Sequence, residues 1–249
     1  MNQRQTSIVE YITEHGKTEV HVLADIFQVS DVTLRKDLDY LVKQGVIHRE
    51  RGYALPSCPE DINYHMAFQL SKKQKIAKAA ADVVRDGETI MIESSSTCAL
   101  FAEELAKRYQ HINIVTNSLY LSNYVCRYPS VQITLLGGTL QPQSQSLVGP
   151  ITKDAVRFFH IKKMFTGTDG YSKEFGFMGD DLIRADTLQA MIDVCDYPYV
   201  LTTSDKFSHP GTVSFLKLEK VYVVVTDPDI SDEESQFLKS KGIEIKIAE

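Results

Sequence analysis

The segment that most restricts what this chain can fold into is Val29–Leu41, which reads VSDVTLRKDLDYL. Ser30 is a favoured N-cap residue, and Asp31 in the first turn complements the positive end of a helix dipole. Apolar residues recur at i, i+4 and i+7, a spacing that predicts one buried stripe of Leu34, Leu38 and Leu41. Residues 20–28 (VHVLADIFQ) show a second amphipathic pattern, and only Val29 and Ser30 separate it from the helix that begins near Asp31. A join this short predicts a helix-turn-helix.

The neighbouring segments extend this motif on both sides. Gln5–His15 places apolar residues at helical spacing and is followed by Gly16, a residue type that ends helices. Val46–Leu55 reads as a short hairpin in which Arg49 and Arg51 lie two residues apart, so that in a strand they share one face. Three helices and a basic hairpin predict a winged helix-turn-helix domain.

The outer face of the helix that begins near Asp31 is suited to DNA. At about 100° per residue, cations fall opposite the leucine stripe and polar side chains flank them. A short helix with such a face fits the major groove, and cations on the wing suit phosphates. The alternative is a solvated charged face without a partner. The candidate DNA-binding residues are Ser30, Thr33, Arg35, Lys36, Tyr40, Lys43, Arg49 and Arg51.

The charge balance favours more than one DNA-binding copy. The whole chain has a formal net charge of −6, and residues 1–55 hold seven Lys and Arg against eight Asp and Glu, which leaves −1. Because non-specific affinity depends on how many phosphates a protein neutralises, one copy is expected to bind weakly. We therefore expect a homodimer or homotetramer that contacts repeated half-sites on double-stranded operator DNA.

Length and composition bound the rest of the chain. The 249 residues can hold one small and one medium domain. The proline-rich segment Pro56–Pro59 predicts the boundary, which gives a DNA-binding domain at 1–57, a linker at 58–74 and a second domain at 75–249. The four cysteines are scattered without metal-ligand spacing, so we expect no metal, cofactor or disulfide. With no leader and no long apolar run, a cytoplasmic protein that does not enter a membrane is expected.

From residue 71 onward, short apolar segments alternate with amphipathic ones. Strands are expected at 89–92, 112–116, 131–136, 163–166, 199–203, 221–226 and 243–247. Helices are expected at 71–85, 98–109, 119–128, 150–158, 181–194 and 232–241. This alternation is typical of an α/β domain whose mostly parallel sheet is covered on both faces.

Polar residues and glycines follow the predicted strands, at the edge where open α/β sheets bind ligands. Ser94–Thr97 leads directly into a helix, where hydroxyls and backbone N–H groups suit a phosphate. Gly137 and Gly138 permit close backbone approach, and Lys206 offers a counter-charge. The alternative is that these residues are ordinary loops and N-caps. The candidate ligand-binding residues are Ser94, Ser95, Ser96, Thr97, Asn117, Ser118, Gly137, Gly138, Asp169, Gly170 and Lys206.

Two sets of residues match a known family pattern. In the first domain they are Arg4-Gln5, Ile8, Leu23-Ala24, Val29-Ser30, Thr33, Leu34–Leu38, Leu41, Gly45, Ile47, Arg49, Gly52 and Ala54. In the second they include Lys75-Ile76-Ala77, Val115–Leu119, Leu135–Gly138, Thr168–Gly170 and Ser204–Phe207. With these residues the chain resembles, over nearly its whole length, the DeoR family of bacterial sugar-metabolism regulators. The resemblance implies a second domain like ribose-phosphate isomerase, with a pocket that senses phosphorylated sugars through Ser94–Thr97, Asn117, Gly138, Asp169 and Lys206.

Two segments depart from the family pattern. Where the family has a Gly-Thr-Thr-type phosphate loop, this chain places Ser95 at the glycine, and a positive φ there would strain a serine. The segment that usually reads Glu-Ala-x-Val-Lys is Arg184–Leu188 here, so the acidic residue becomes basic and the lysine becomes leucine. We expect the part of the effector beyond its phosphate to differ from that of commoner members.

The leading hypothesis is a repressor of a carbohydrate-metabolism operon, not an enzyme, whose operator affinity a phosphorylated sugar changes. One alternative is a sugar-phosphate isomerase in which Asp169 and Glu93 act as acid and base. The other is a regulator whose second domain only oligomerises, with a possible redox role for Cys98 at a helix start.

Overall fold

A computed structural model describes residues 2–43, 45–57 and 62–249. The chain divides into two compact units, Met1–Ser71 and Lys72–Glu249. Cys58 and the second proline of the predicted boundary lie outside the described residues. Within the described ranges, no helix is both long enough and apolar enough to span a bilayer.

The first unit is a winged helix-turn-helix, as predicted. Its elements are α1 (Gln3–His15), β1 (Thr18–Glu19), α2 (Val20–Ile26), α3 (Asp31–Lys43), β2 (Ile47–Glu50), β3 (Tyr53–Pro56) and α4 (Ile62–Ala67). The strands form an antiparallel sheet in the order β1-β3-β2. Strand β1 was not predicted, because two residues carry no periodic pattern. The predicted linker, 58–74, contains α4 and the beginning of α5 (Leu70–Ala81).

Apolar stripes from three helices form the core of the first unit. The stripe of α3 is buried as predicted, in a cluster in which residues with 0% exposure include Ile8, Val9, Ile12, Leu23, Leu34, Leu38 and Leu41. Burial of each such side chain contributes about 1.5–3 kcal/mol. Asp37 is also buried on α3, because Arg4 Nε and Gln5 Nε2 donate hydrogen bonds of 2.7 and 2.9 Å to its carboxylate. These bonds tie the start of α1 to α3.

The second unit alternates strands and helices. Its strands are β4 (Thr89–Ile92), β5 (Ile112–Thr116), β6 (Val131–Leu135), β7 (Thr139–Gln141), β8 (Ser146–Val148), β9 (Ile161–Thr166), β10 (Gly170–Ser172), β11 (Gly176–Gly179), β12 (Cys195–Leu201), β13 (Val213–Leu216), β14 (Val223–Thr226) and β15 (Glu244–Ile247). Its helices after α5 are α6 (Ser96–Arg108), α7 (Leu119–Val125), α8 (Pro150–Val156), α9 (Leu182–Ile192) and α10 (Asp232–Ser240), with 3-10 turns at Ser204–Ser208 and Leu218–Lys220.

Seven of these strands form one sheet in the order β15-β14-β12-β9-β4-β5-β6. All neighbouring pairs in it run parallel, so the predicted α/β class is confirmed. Two smaller antiparallel sheets, β7-β8 and β10-β11-β13, were not predicted. Their strands are three or four residues long and often contain glycine, so neither length nor alternation marked them in the sequence.

The apolar runs of the central strands lie in the core. Residues of β14 are at most 3% exposed, and Phe101 of α6 packs on Phe165 of β9 with ring centroids 4.4 Å apart. The carboxyl ends of β12, β9, β4, β5 and β6 follow one another along one edge. Because parallel strands lie about 4.8 Å apart, loops that follow adjacent strands are direct neighbours there.

Candidate DNA interface and effector site

Helix α3 carries the predicted DNA-facing residues. Ser30 caps the helix, since its Oγ accepts a 3.3 Å hydrogen bond from Thr33 N and lies 3.0 Å from Thr33 Oγ1. Arg35, Lys36 and Lys43 are exposed, and Tyr40 is 38% exposed. These side chains lie outside the leucine stripe, as predicted.

The outward stripe of α3 contains two residues that the sequence analysis missed. Val32 is 65% exposed and lies one helical turn before Lys36, and Asp39 is exposed on the same side. An exposed valine at the start of a helix of this kind is suited to contact a thymine methyl group. Its apolar character gave no signal, because valine favours burial in most settings.

The wing differs from the prediction in one respect. Arg49 lies in β2 and forms an ion pair with Asp39 of α3, whose Oδ1 is 2.5 Å from Arg49 Nη1. Arg51 is not in a strand but in the turn, with φ +34°, and Gly52 follows with φ +90°. Two positive φ values are typical of a tight hairpin turn. The prediction that Arg49 and Arg51 share a strand face was therefore wrong, and Arg51 lies at the wing tip.

The serine loop after β4 is tied to the loops around it. Ser94 Oγ donates to Ser118 Oγ at 3.0 Å and is 3.2 Å from the Ser144 carbonyl oxygen. Ser95 is the N-cap of α6 and accepts a 3.3 Å bond from Cys98 N. Its φ of −142° is extended, so serine at this position carries no strain. The first N–H groups of α6, from Ser96 onward, lack intrahelical acceptors and can hold an anion.

The absence of a side chain at Gly167 gives Ser95 its space. A Cβ at Gly167 would lie 2.6 Å from Ser95 Oγ and 2.7 Å from Ser95 Cβ. The loops after β9 and β4 therefore touch directly at this point.

Next along the edge, Asn117 offers a hydrogen-bond acceptor. Its Nδ2 donates to the Leu147 carbonyl at 3.1 Å, while its buried Oδ1 has no partner within 2–43, 45–57 and 62–249. The residue is 4% exposed, and Ser118 beside it caps α7. A buried acceptor of this kind is costly unless a further group binds it.

Gly137 and Gly138 have a packing role. The Gly137 carbonyl accepts a 2.6 Å bond from Thr152 Oγ1 on α8. Gly138 has φ +148°, and a Cβ there would lie 1.9 Å from the same hydroxyl oxygen. Gly170 is similarly enclosed, since a Cβ would lie 2.4 Å from Gly211 N. The need for glycine at Gly138 and Gly170 is explained by contacts within the chain.

Lys206 lies in the 3-10 turn after β12, half-buried, and a second lysine accompanies it. Lys73 of α5 is only 6% exposed. Burial, and then the positive charge of Lys206, lower the pKa of Lys73 to about 7, against an opposing influence of Asp205. Lys73 was not predicted as a site residue, because it lies in a run of helix lysines that is typical of a solvated face.

A charged cluster lies where β4 and β9 end. Glu93 is 5% exposed, and its Oε2 accepts a 3.3 Å bond from Gly167 N. Arg184 of α9 reaches both Glu93 and Asp169, at 3.6 and 3.9 Å. Burial raises the pKa of Glu93, an effect that Arg184 opposes. Arg184 departs from the family pattern, but its place in this cluster was not predicted from the sequence.

The redox interpretation of Cys98 is wrong. The thiol is fully buried, and burial raises its pKa well above the usual value. A reactive cysteine needs a lowered pKa and access to solvent.

Comparison with known proteins gives matches over most of the chain. Residues 4–56 match the family described as DeoR-like helix-turn-helix domain, and residues 69–228 match the DeoR C terminal sensor domain. The glycerol-3-phosphate regulon repressor of Escherichia coli (strain K12) is 27% identical over 98% of this chain and 98% of its own length. The L-fucose operon activator of Haemophilus influenzae is 24% identical over 98% of both. Among solved structures, ribose 5-phosphate isomerase A from Neisseria gonorrhoeae has a TM-score of 0.41 at 16% identity, over 54% of this chain and 52% of that one.

The two matched families describe a DNA-binding domain followed by a sensor domain for a small molecule. They are domains of transcription regulators and not of enzymes, so the isomerase alternative is set aside and the prediction of a non-enzyme is confirmed. The chain belongs to the DeoR family of transcription regulators.

Proposed function

We propose that this regulator represses a carbohydrate-metabolism operon and that a phosphorylated sugar, bound at the sheet edge of the second unit, changes its affinity for operator DNA. The proposed active form is a cytoplasmic homodimer or homotetramer. Its partners are double-stranded operator DNA and the effector.

The DNA half of the proposal is supported by the outer face of α3 and by the wing. Lys36 and Lys43 project from exposed positions, and the wing tip adds Arg51. With a net charge of −1 over residues 1–55, one copy neutralises few phosphates. Two copies on repeated half-sites would supply the missing affinity. We assign phosphate or base contacts to Ser30, Thr33, Arg35, Lys36, Tyr40, Lys43, Arg49 and Arg51.

The observation that carries the effector half is the mixture of groups along one sheet edge. Lys206 and the α6 N-terminus suit a phosphate, while the Asn117 oxygen and the carboxylates of Glu93 and Asp169 suit hydroxyl groups. A phosphorylated sugar carries both kinds of group. The printed name of the Escherichia coli relative, a glycerol-3-phosphate regulon repressor, is consistent with this ligand class.

The effector acts through unequal affinity for two states of the protein. A sugar phosphate that prefers the state in which paired winged helices no longer match the half-site spacing releases the operator. One that prefers the matching state acts as a co-repressor, and a titration of operator DNA with and without the compound distinguishes the two.

The test is a fluorescence anisotropy titration of the promoter DNA beside this gene, with and without a panel of sugar phosphates. We expect salt-dependent nanomolar binding that one compound shifts at least tenfold, which equals about 1.4 kcal/mol of coupling. Tight DNA binding that no compound changes would support the DNA-binding regulator but refute the effector, and it would favour a second unit that only oligomerises. Absence of specific binding would refute the assignment of the α3 face.

A further inference from the structure

Three charged side chains from separate segments meet on the proposed effector edge. Arg184 Nη2 lies 3.6 Å from Glu93 Oε1, and Arg184 Nη1 lies 3.9 Å from Asp169 Oδ2. The side chain of Glu93 is 6% exposed, whereas those of Arg184 and Asp169 are 29% and 31% exposed. Asp169 and Arg184 thus stay accessible to a ligand, and Glu93 lies behind them.

The position of Arg184 is set by the start of α9. Asp181 is the N-cap of that helix, and its Oδ1 accepts a 2.7 Å bond from Arg184 N. Gln141 Nε2 of β7 holds the same carboxylate at 3.2 and 3.3 Å. The first turn of α9 is therefore anchored from two sides, and Arg184 is directed by a fixed backbone.

Acidic groups outnumber the single guanidinium here. Although burial acts to lower the pKa of Arg184, Asp169, Glu93 and Asp181 raise it overall, so all three carboxylates act on this side chain. Burial raises the pKa of Glu93. With Glu93 ionised, the cluster of Arg184, Glu93 and Asp169 has net negative charge. With Glu93 neutral, Asp169 balances Arg184, and the carboxylate of Asp181, which also acts on Arg184, keeps the surroundings negative.

We propose that Arg184, Glu93 and Asp169 determine which sugar phosphates this regulator accepts: the cluster binds hydroxyl or ammonium groups of the effector and repels a second acidic group. The inference rests on the proposed sensing of a phosphorylated sugar at this edge. The cluster accepts monophosphorylated sugars, polyols and amino sugars, and it excludes phosphorylated sugar acids and bisphosphates.

The competing assignment makes Arg184 an anchor for a carboxylate of the ligand. Arginine often binds carboxylates through two parallel hydrogen bonds. Here, however, the guanidinium is already shared between two carboxylates, and an incoming anion would meet Asp169 at the same place. Like charges brought together disfavour binding, whereas ionised carboxylates accept hydrogen bonds readily from hydroxyl and ammonium groups.

The experiment measures binding of matched ligand pairs to the full chain by calorimetry. One pair is glucitol 6-phosphate and 6-phosphogluconate, which are both open chains, and a smaller pair is glycerol 3-phosphate and 3-phosphoglycerate. Each pair differs by a carboxylate in place of a neutral hydroxymethyl group. Glucosamine 6-phosphate is compared separately with glucose 6-phosphate, to which it adds an ammonium group. In the pair that binds more tightly to the site, we expect the neutral member to bind at least tenfold more tightly than the acid, a difference of about 1.4 kcal/mol. Glucosamine 6-phosphate should equal or exceed glucose 6-phosphate.

Variants test whether the cluster sets this ratio. Asp169→Asn should bring the two affinities of a pair closer, because it removes one negative charge. Arg184→Gln should widen the ratio, and Arg184→Lys should preserve it. Asp186→Asn is the control, since Asp186 lies on the same helix, is 51% exposed and pairs with Lys153 at 2.8 Å away from the cluster. A ratio between two ligands cancels any general loss of stability in a variant.

Each outcome is decisive. Tighter binding of the acid by the wild-type chain, lost in Arg184→Gln, would overturn the inference and make Arg184 an anion anchor. An unchanged ratio in Asp169→Asn would also overturn it. If no compound of either pair binds, the proposed sugar-phosphate function fails and the inference fails with it, a result distinct from binding in the wrong order.

Discussion

Replacing Gly167 by alanine probes the contact between the loops after β9 and β4. The new Cβ would lie 2.7 Å from Ser95 Cβ, where carbon atoms normally approach to about 3.5–4.0 Å. Rotating the Ser95 hydroxyl away does not relieve this contact, because the Cβ atoms themselves collide. One loop must move by about 1 Å, and the bond from Gly167 N to Glu93 Oε2 loosens with it.

The expected cost follows from two opposing effects. Overpacking of this kind costs about 1–3 kcal/mol. Alanine in place of glycine restricts the unfolded chain, which returns about 0.4–1 kcal/mol. We therefore expect Gly167→Ala to lower the free energy of unfolding by about 1–2 kcal/mol, measured by urea unfolding followed by circular dichroism.

A double variant, Ser95→Gly with Gly167→Ala, and a control variant, Gly179→Ala, test this expectation. Ser95→Gly removes both colliding atoms and costs only a few tenths of a kcal/mol as an N-cap change, so it should restore most of the loss in Gly167→Ala. Gly179→Ala is the matched control, because its Cβ would lie 3.5 Å from Asp169 Oδ2 and 3.8 Å from Phe215 Cδ1. Additive effects of Ser95→Gly and Gly167→Ala, or equal losses in Gly167→Ala and Gly179→Ala, would refute the reasoning.

Four further variants test the two candidate sites and the pKa of the buried Lys73. Arg35→Ala and Lys36→Ala should each abolish tight operator binding in anisotropy titrations without lowering the melting temperature; a phosphate contact flattens the salt dependence, whereas a base contact lowers discrimination at one position. Lys206→Ala should blunt the effector response and leave DNA affinity unchanged, so an intact response would count against the pocket. Lys73 has a folded pKa of about 7 against an ordinary 10.5, so unfolding takes up a proton between these values and stability should rise with pH across them. Lys73→Met should flatten that rise in urea unfolding at pH 7, 8 and 9.

The first unit and the order of elements in the second could be predicted because their signals are local and periodic. The leucine stripe of α3 and the N-cap at Ser30 depend on neighbours within one or two helical turns. The polar loops at strand ends were placed correctly because parallel strands bring their carboxyl ends to one edge. Arg51 was misplaced because a two-residue turn, not the pattern of the strand, determines where a hairpin reverses.

The composition of the charged cluster could not be predicted from the sequence. Glu93 and Arg184 are 91 positions apart, and only the pairing of β4 with β9 and the packing of α9 bring them together. The same holds for Ser95 and Gly167. Ser95 stands where the family pattern has glycine, and the absence of a side chain at Gly167 leaves room for it. Contacts between distant segments carry no pattern in a single sequence.

The strand order of the large sheet has a consequence for synthesis on the ribosome. Strand β4 lies between β5, its next neighbour in the chain, and β9, with Met91 paired to Met164. Until residues near 161–166 have emerged, one side of β4 exposes unpaired backbone groups on an apolar strand. The winged-helix unit is formed by contacts within residues 1–71, so it can fold before the rest of the chain is synthesised. We therefore expect nascent chains that end before β9 to hold a formed DNA-binding unit beside an aggregation-prone half-sheet, on which chaperones act.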